Sequence, residues 1–380
     1  MNFDCIDRAL ASRVDSGEIP GAAAAVADRD GIIYSGAFGL RDAGNRIAMA
    51  ADDIFGIFSM TKPFTSVAAM MLIEEGRLRM DQPVSEFLPY LAKPEVITRF
   101  DESSGSCETR PARGEITVRH LLTHTAGFGY IFFNSDVNLM VTKTGRAMTE
   151  LPLLFEPGTR WMYGPNTRIL GKAVEEITGM TLEDVFRERI FGPLGLGDTC
   201  YALPREKFGR LVTTHRRKGG VFEEDPPGEG PAINMLGDTG LYSTAVDYAN
   251  FLRLFLNGGE LGGARILSGE SVRMMVSNQI GGLVVETLPG VLPDLVKPFP
   301  IGGGRDKFGL GFQITMCEDD DALCRSRGSC SWAGMRNTFF WFDPKAGIAA
   351  VLMMQAVPFY DEACIGAYRS FEEAVYKSLG

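Results

Sequence analysis

Strand-like sequence lies at both ends of this 380-residue chain and helix-like sequence lies between them, an order that few folds satisfy. Near the N-terminus, Gly21–Ala27 and Gly31–Leu40 flank the turn Asp28-Arg29-Asp30-Gly31 and have the pattern of a hairpin. Near the C-terminus, Phe308–Met316, Thr338–Asp343 and Gly347–Gln355 have strand character, and the last two are joined through Asp343-Pro344-Lys345-Ala346-Gly347. Phe3, Ile6, Leu10 and Val14 give an amphipathic first helix, and a last helix is expected from about Glu362 to Leu379. In the middle, Thr117–His124, Ile169–Thr178, Leu182–Ile190 and Ala245–Leu256 carry helical periodicity. Segments 98–115 and 215–232 hold Glu, Arg, Gly and Pro without periodicity and are expected to be loops. No internal repeat is present. The order predicts an α+β fold: an antiparallel sheet flanked by helices, built from both chain ends, with an inserted mostly helical domain. The expected division is 1–58 and 300–380 for the sheet domain and 59–299 for the helical region.

Composition narrows the function classes. A net charge of −10 opposes nucleic acid as a partner, because phosphate binding needs a basic surface. No stretch of 18 apolar residues exists, so no membrane span is expected. The N-terminus lacks a basic segment followed by an apolar core, so no signal peptide is expected and the location reads as cytoplasmic. Seven cysteines are spread without a Cys-x-x-Cys pair and are expected as reduced thiols. Cys317, Cys324 and Cys330 cluster without metal-type spacing. Three histidines leave little room for a histidine metal site or a Ser-His-Asp triad. His120 and His124 lack the intervening Glu and third ligand of a zinc motif and are expected to be structural. Gly302-Gly303-Gly304-Arg305 is not followed by Gly-Lys-Ser and is no phosphate loop. Neither a metal nor a cofactor is expected.

The single Ser-x-x-Lys of the chain, Ser59-Met60-Thr61-Lys62, stands where an extended segment, Ile54–Phe58, meets a helical pattern carried by Val67, Ala68, Met71 and Leu72 and stopped at Glu75-Gly76. A serine in that place is ordinarily a helix cap. Here Lys62 follows one turn later on the same face. An unprotonated amine there would take the hydroxyl proton and make Ser59 nucleophilic. The positive end of the helix would favour both the neutral amine and a nearby oxyanion. A hydrolase without a histidine base needs a further proton acceptor. Tyr163, in Trp161-Met162-Tyr163-Gly164-Pro165-Asn166 at a loop-to-helix junction, is the candidate; a phenol lowered by the lysine would act as general acid and base. A packed aromatic with a structural hydroxyl is the alternative.

These stretches, together with Thr117–Tyr130, Gly240–Tyr248 and Ser331-Trp332-Ala333-Gly334, are similar in order and context to the class C β-lactamase group of serine hydrolases, and within it to the family VIII carboxylesterases. The resemblance covers most of the chain. It implies Ser59, Lys62 and Tyr163 as catalytic residues, and the backbone N–H groups of Ser59 and Met335 as the oxyanion hole. Trp332 stands where the related lactamases carry a lysine that binds a substrate carboxylate, and tryptophan there resembles the esterases. Gly334 would admit substrate close to the strand. Asn166 would orient Tyr163 or its loop, and Phe128, Tyr130, Phe132 and Phe133 would border the acyl pocket, a core-packing loop being the alternative. Arg336 is expected as a solvated surface arginine, the alternative being a replacement positive charge. Three literal matches are set aside as chance or packing: Lys143-Thr144-Gly145, Tyr248-Ala249-Asn250 and Ser135-Asp136. The implied activity is hydrolysis of short-chain carboxylic esters, with a small-molecule ester as the partner. Lactamase or D-alanyl-D-alanine peptidase activity, acyl transfer to an alcohol, and a non-catalytic binding role are the alternatives. The oligomeric state is left open.

Overall fold

The computed structural model describes residues 2–225, 231–316 and 324–380. Eight strands form the main sheet: β1 (Gly21–Ala27), β2 (Ile32–Asp42), β3 (Ile47–Ala48), β4 (Lys307–Phe308), β5 (Gln313–Ile314), β6 (Cys330–Gly334), β7 (Thr338–Asp343) and β8 (Ile348–Met353). Their order is β4-β5-β6-β7-β8-β1-β2-β3, with antiparallel pairing throughout. The seam between the two chain ends is β1 on β8, where Ala23 pairs Met353 and Ala27 pairs Ala349. Small residues on β1 let helices approach both faces. Helix α1 (Asp4–Asp15) packs on β2 and on α7 (Glu362–Leu379), while α6 (Ala245–Leu256) lies across β1 and β8.

Strand β7 shows how period two divides the two layers. Phe339 and Trp341 meet Tyr368 and Phe371 of α7, whereas Phe340 meets Tyr248 and Phe342 meets Phe255 of α6. All six residues of β7 are buried, so the strand reads as one apolar run.

Four sequence expectations need correction. Segment 98–115 contains a hairpin of Glu95–Phe100 with Cys107–Pro111. Segment 215–232 contains another, His215–Lys218 with Val221–Glu224, turned at Gly219-Gly220; residues 226–230 lie outside the described set. Their charged, half-exposed strands carry no alternation, and the pairing of His215 with Ala356 is supplied by tertiary contact. Phe308–Met316 is a reversal rather than one strand. Gly309 N–H bonds the Phe312 carbonyl at 2.8 Å, Gly311 has φ +110°, and the chain returns as β5. The helix begins at Lys62 rather than Ser59. Phe58–Thr61 form a tight 3-10 turn entered at Phe58, φ +45°, and α2 (Lys62–Glu74) follows with Pro63 in its first turn. Helix α2 is buried along nearly its whole length, and Gly76, φ +70°, ends it as expected.

The described cysteines are free, and Cys317 lies outside the described residues. Among the described residues no helix is long and apolar enough to cross a membrane.

The Tyr248 hydroxyl donates to the carbonyl of Met60 at 2.9 Å, and its ring packs edge-on against Phe64 and Phe251. It braces the turn that carries Ser59 from outside the site. Tyr248→Phe leaves that buried carbonyl unsatisfied and should cost about 1–3 kcal/mol of stability, with ester turnover close to wild type. Thermal melting and a rate assay on the same sample check both. A loss of turnover above tenfold with an unchanged melt contradicts the bracing role.

Candidate active site

The turn Phe58–Thr61 presents Ser59 beside the first residue of α2. Lys62 Nζ lies 2.9 Å from Ser59 Oγ and donates to the carbonyl of Asp238 at 2.9 Å. Ser59 is not a cap: the cap positions at Ile57 and Thr61 carry no side-chain capping bond, and its hydroxyl faces the lysine. Burial pushes the Lys62 ammonium down to about 7; the Asp238 carboxylate opposes that shift and the Arg168 guanidinium adds to it. Much of Lys62 is thus neutral near pH 7. One N–H of the neutral amine is held by the Asp238 carbonyl, which leaves the lone pair free to face the serine hydroxyl.

Asp238, Arg168 and Tyr130 form the layer behind the lysine. The Asp238 carboxylate accepts from Arg168 Nε at 3.0 Å and from the Tyr130 hydroxyl at 2.5 Å. Neither Asp238 nor Arg168 was singled out in the sequence. The available signals were slight: Asp238 directly precedes the Thr239-Gly240 turn of a recognised stretch, and Arg168 opens an amphipathic helix two residues after Asn166.

Tyr163 is brought to Ser59 by the loop before α5 (Asn166–Thr178). Gly164 fixes that loop, since a Cβ there would stand 2.2 Å from the carbonyl of Phe128. The Tyr163 hydroxyl accepts from Trp332 Nε1 at 3.2 Å; the residue lines the same cavity as Ser59 and has Lys62 Nζ 4.8 Å from its ring centre. Burial raises the phenol above its ordinary range, and Ser59 and Trp332 offset only part of the rise. The expected lowering by Lys62 is therefore corrected. A neutral, buried amine lends little positive charge, so Tyr163 keeps its proton at neutral pH, and Lys62 is the group of the two that is placed to take a proton from Ser59.

Ser59, Tyr163, Trp332, Gly334 and Met335 line one narrow cavity together with Phe132, Phe133, Phe299 and Phe359. Trp332 touches the cavity but spends its only donor on Tyr163. Gly334 is a glycine because β6 crosses the nucleophile segment: a Cβ there would be 2.4 Å from the Ile57 carbonyl and 2.3 Å from Thr338 Oγ1. The close approach it permits is to Ile57 rather than to substrate. Asn166 is buried away from the cavity and bonds His124 Nδ1 at 2.9 Å; the His124 ring, kept neutral by burial, stands 5.0 Å from Tyr163. Asn166 thus supports the Tyr163 ring through His124 and touches no substrate space. His120 closes a capping box with Thr117. Phe128 is displaced from the site, lining a separate groove with Tyr90 and Leu153, and Tyr130 serves the polar layer. Phe132 and Phe133 are the members of that aromatic segment that border the cavity.

The literal matches are resolved by position. Ser135 and Lys143-Thr144 lie at the two ends of one helix, Ser135–Thr144, which buries Val137 and Met140 and is closed by Gly145 at φ +68°. Among the described residues, no group of His, Cys, Asp and Glu is arranged to hold a metal ion.

A beta-lactamase family profile matches residues 6–374. Lovastatin esterase of Penicillium rubens is 30% identical over 398 residues, covering 98% of both chains. Monacolin J acid methylbutanoyltransferase of Aspergillus terreus is 30% identical over 397 residues, covering 98% of this chain and 95% of the relative. A solved structure of simvastatin synthase from Aspergillus terreus, a mutant form, superposes with a TM-score of 0.84 at 28% identity, covering 98% of this chain and 96% of that one.

Two outcomes follow from the geometry. Because the base must be the neutral amine, kcat/KM for an ester should rise with pH through a midpoint near the Lys62 value of about 7. Arg168→Met removes a positive charge that opposes the ammonium and exposes Asp238 to it, so this limb should move to higher pH; a limb that stays in place contradicts the Lys62 assignment. Tyr163→Phe should lower kcat by at least about a hundredfold, measured by steady-state kinetics on folded protein.

Proposed function

The chain belongs to the beta-lactamase family, and on that premise we propose that it is a serine carboxylesterase acting on short-chain esters through an acyl-enzyme on Ser59. The observation that carries the proposal is the 2.9 Å contact between Ser59 Oγ and a buried Lys62 amine whose proton is lost near pH 7. Ser59 attacks the ester carbonyl as Lys62 takes its proton. Tyr163, which shares the cavity with Ser59 and lies next to the amine, delivers a proton to the leaving alcohol and is reprotonated from Lys62. Water then repeats the sequence on the acyl-enzyme and releases the acid. The backbone N–H groups of Ser59 and Met335 are proposed as oxyanion donors, each worth about 10²–10³ in rate in comparable sites.

An esterase is favoured over a lactamase or peptidase by position 332. An indole there already gives its N–H to Tyr163 and has no charge for a substrate carboxylate. The name of the Penicillium relative supports the hydrolase, and that of the Aspergillus relative supports a second reading, transfer of the acyl group to an alcohol. The aromatic wall of Phe132, Phe133, Phe299 and Phe359 favours that reading to the extent that it admits an organic alcohol more readily than water.

Ser59→Ala should abolish turnover of p-nitrophenyl butyrate with an unchanged circular dichroism spectrum, and intact mass should show an organophosphonate adduct on the wild type alone. Turnover by the folded variant ends the proposal. Loss of a charge-assisted contact costs about 1.5–3 kcal/mol, so kcat/KM for nitrocefin should fall below that for the butyrate; the reverse order makes the protein a lactamase. Adding a primary alcohol and measuring the ratio of new ester to acid separates transferase from hydrolase.

A further inference from the structure

Besides the narrow cavity that holds Tyr163, a cavity of about 570 Å³, within the size range of small-ligand sites, is lined by Phe58, the residue before Ser59. Its wall includes Phe58, Gly56, Tyr242, Gln355 and Arg336. Arg336 was expected on the surface as a solvated side chain. It is instead half-buried, with its guanidinium 4.9 Å from the Phe58 ring centre and its Nε enclosed without a hydrogen-bond partner among the described residues. The amide oxygen of Gln355 on the same wall is likewise buried and unpartnered. The neighbouring carboxylates are committed elsewhere: Asp225 takes both oxygens to Arg216 at 3.0 and 3.1 Å, and Asp42 holds the backbone and side-chain amides of Asn45.

An enclosed guanidinium N–H without an acceptor is costly, and such groups are ordinarily paired. Its planar fork matches a carboxylate in two parallel bonds. The direction of the reaction says which part of a substrate reaches it. The leaving oxygen departs with a proton and must sit by the Tyr163 hydroxyl, in the narrow cavity. The other substituent of the carbonyl carbon is directed away from Tyr163, and the cavity lined by Phe58, the residue before Ser59, is the space assigned to it. Resting on the esterase reading above, we propose that Arg336 binds a carboxylate on the acyl portion of the substrate, so that the preferred substrates are half-esters of short dicarboxylic acids. Ser59 Oγ forms the new acyl bond as the ester C–O bond breaks, and the serine proton leaves with the alcohol. The ω-carboxyacyl group stays on Ser59 until water adds, giving the free dicarboxylic acid and restoring the serine hydroxyl.

The test compares monobenzyl esters of succinic, glutaric and adipic acid with benzyl butyrate, pentanoate and hexanoate, with acid release followed by chromatography. A benzyl alcohol is a poor enough leaving group that the free carboxylate does not cleave the ester by itself. At least one half-ester should exceed its neutral partner in kcat/KM by about tenfold to a hundredfold, as a charge-assisted contact provides. In Arg336→Gln that ratio should collapse to about one or below, and Arg336→Lys, which keeps the charge without the fork, should retain part of it. Wild-type protein that turns over the neutral esters without preferring any half-ester overturns this inference and leaves the esterase reading standing. Wild-type protein that hydrolyses none of the six overturns the esterase reading itself. A preference that survives undiminished in folded Arg336→Gln places the carboxylate elsewhere and also overturns the assignment.

Discussion

The burial of one amine governs this site. Lys62 has its ammonium taken out of water at the start of a helix that is apolar along most of its length, and desolvation, aided by Arg168 and opposed by the Asp238 carboxylate, brings its proton loss down to about 7. Everything around it serves to keep a neutral amine pointed at a hydroxyl. The Asp238 carbonyl holds one N–H, the Ser59 hydroxyl receives the lone pair, and Arg168 balances the Asp238 carboxylate that would otherwise recharge the lysine. Tyr163 stays protonated in the same dry space, so the division of labour between base and donor follows from burial rather than from any difference in sequence motif.

That dry space is made by the meeting of two chain regions. Strand β6, from the C-terminal part, is laid so close to the segment before Ser59 that only glycine fits at position 334. The same strand brings Trp332 to Tyr163 and Met335 to the cavity edge. Aromatic rings from 132–133, 299 and 359 complete the wall. The site joins the two ends of the chain, because β6 belongs to the same sheet in which β1 pairs with β8, and β6 crosses the nucleophile turn at Gly334.

Much of this was legible in the sequence because it is local. The order of strand and helix patterns gave the α+β sheet from both ends, and Ser59, Lys62 and Tyr163 stood in recognisable short stretches. A spacing of three residues puts Ser59 and Lys62 on the same side of any helical turn, and the 3-10 turn Phe58–Thr61 keeps them adjacent as an α-helix would. Trp332 was marked by the family resemblance, at the position where the related lactamases carry a lysine, and the strand Cys330–Gly334 that carries it was not among the strands read from the residues. The tight turn that replaces the first helical turn at Phe58–Thr61 was missed because a positive φ at a phenylalanine has no sequence signature. The two charged hairpins were missed because neither face of either is buried enough to alternate.

Side-chain roles that depend on a distant partner were beyond the reach of the sequence. Asn166 and Phe128 lie within or beside recognised stretches, yet one turns to His124 and the other away from the site, because the backbone of the Tyr163 loop packs on Phe128 through Gly164. Asp238 and Arg168, 70 residues apart, become a pair only when α5 is laid against the loop that carries Asp238. Arg336 looks like any surface arginine until the turn after β6 folds it over Phe58. The sequence by itself determined which groups could do chemistry, because identity and near spacing are written in it. The tertiary structure decided their charge states and partners, because desolvation and hydrogen bonding depend on what packs around a group, and that packing comes from residues far away along the chain.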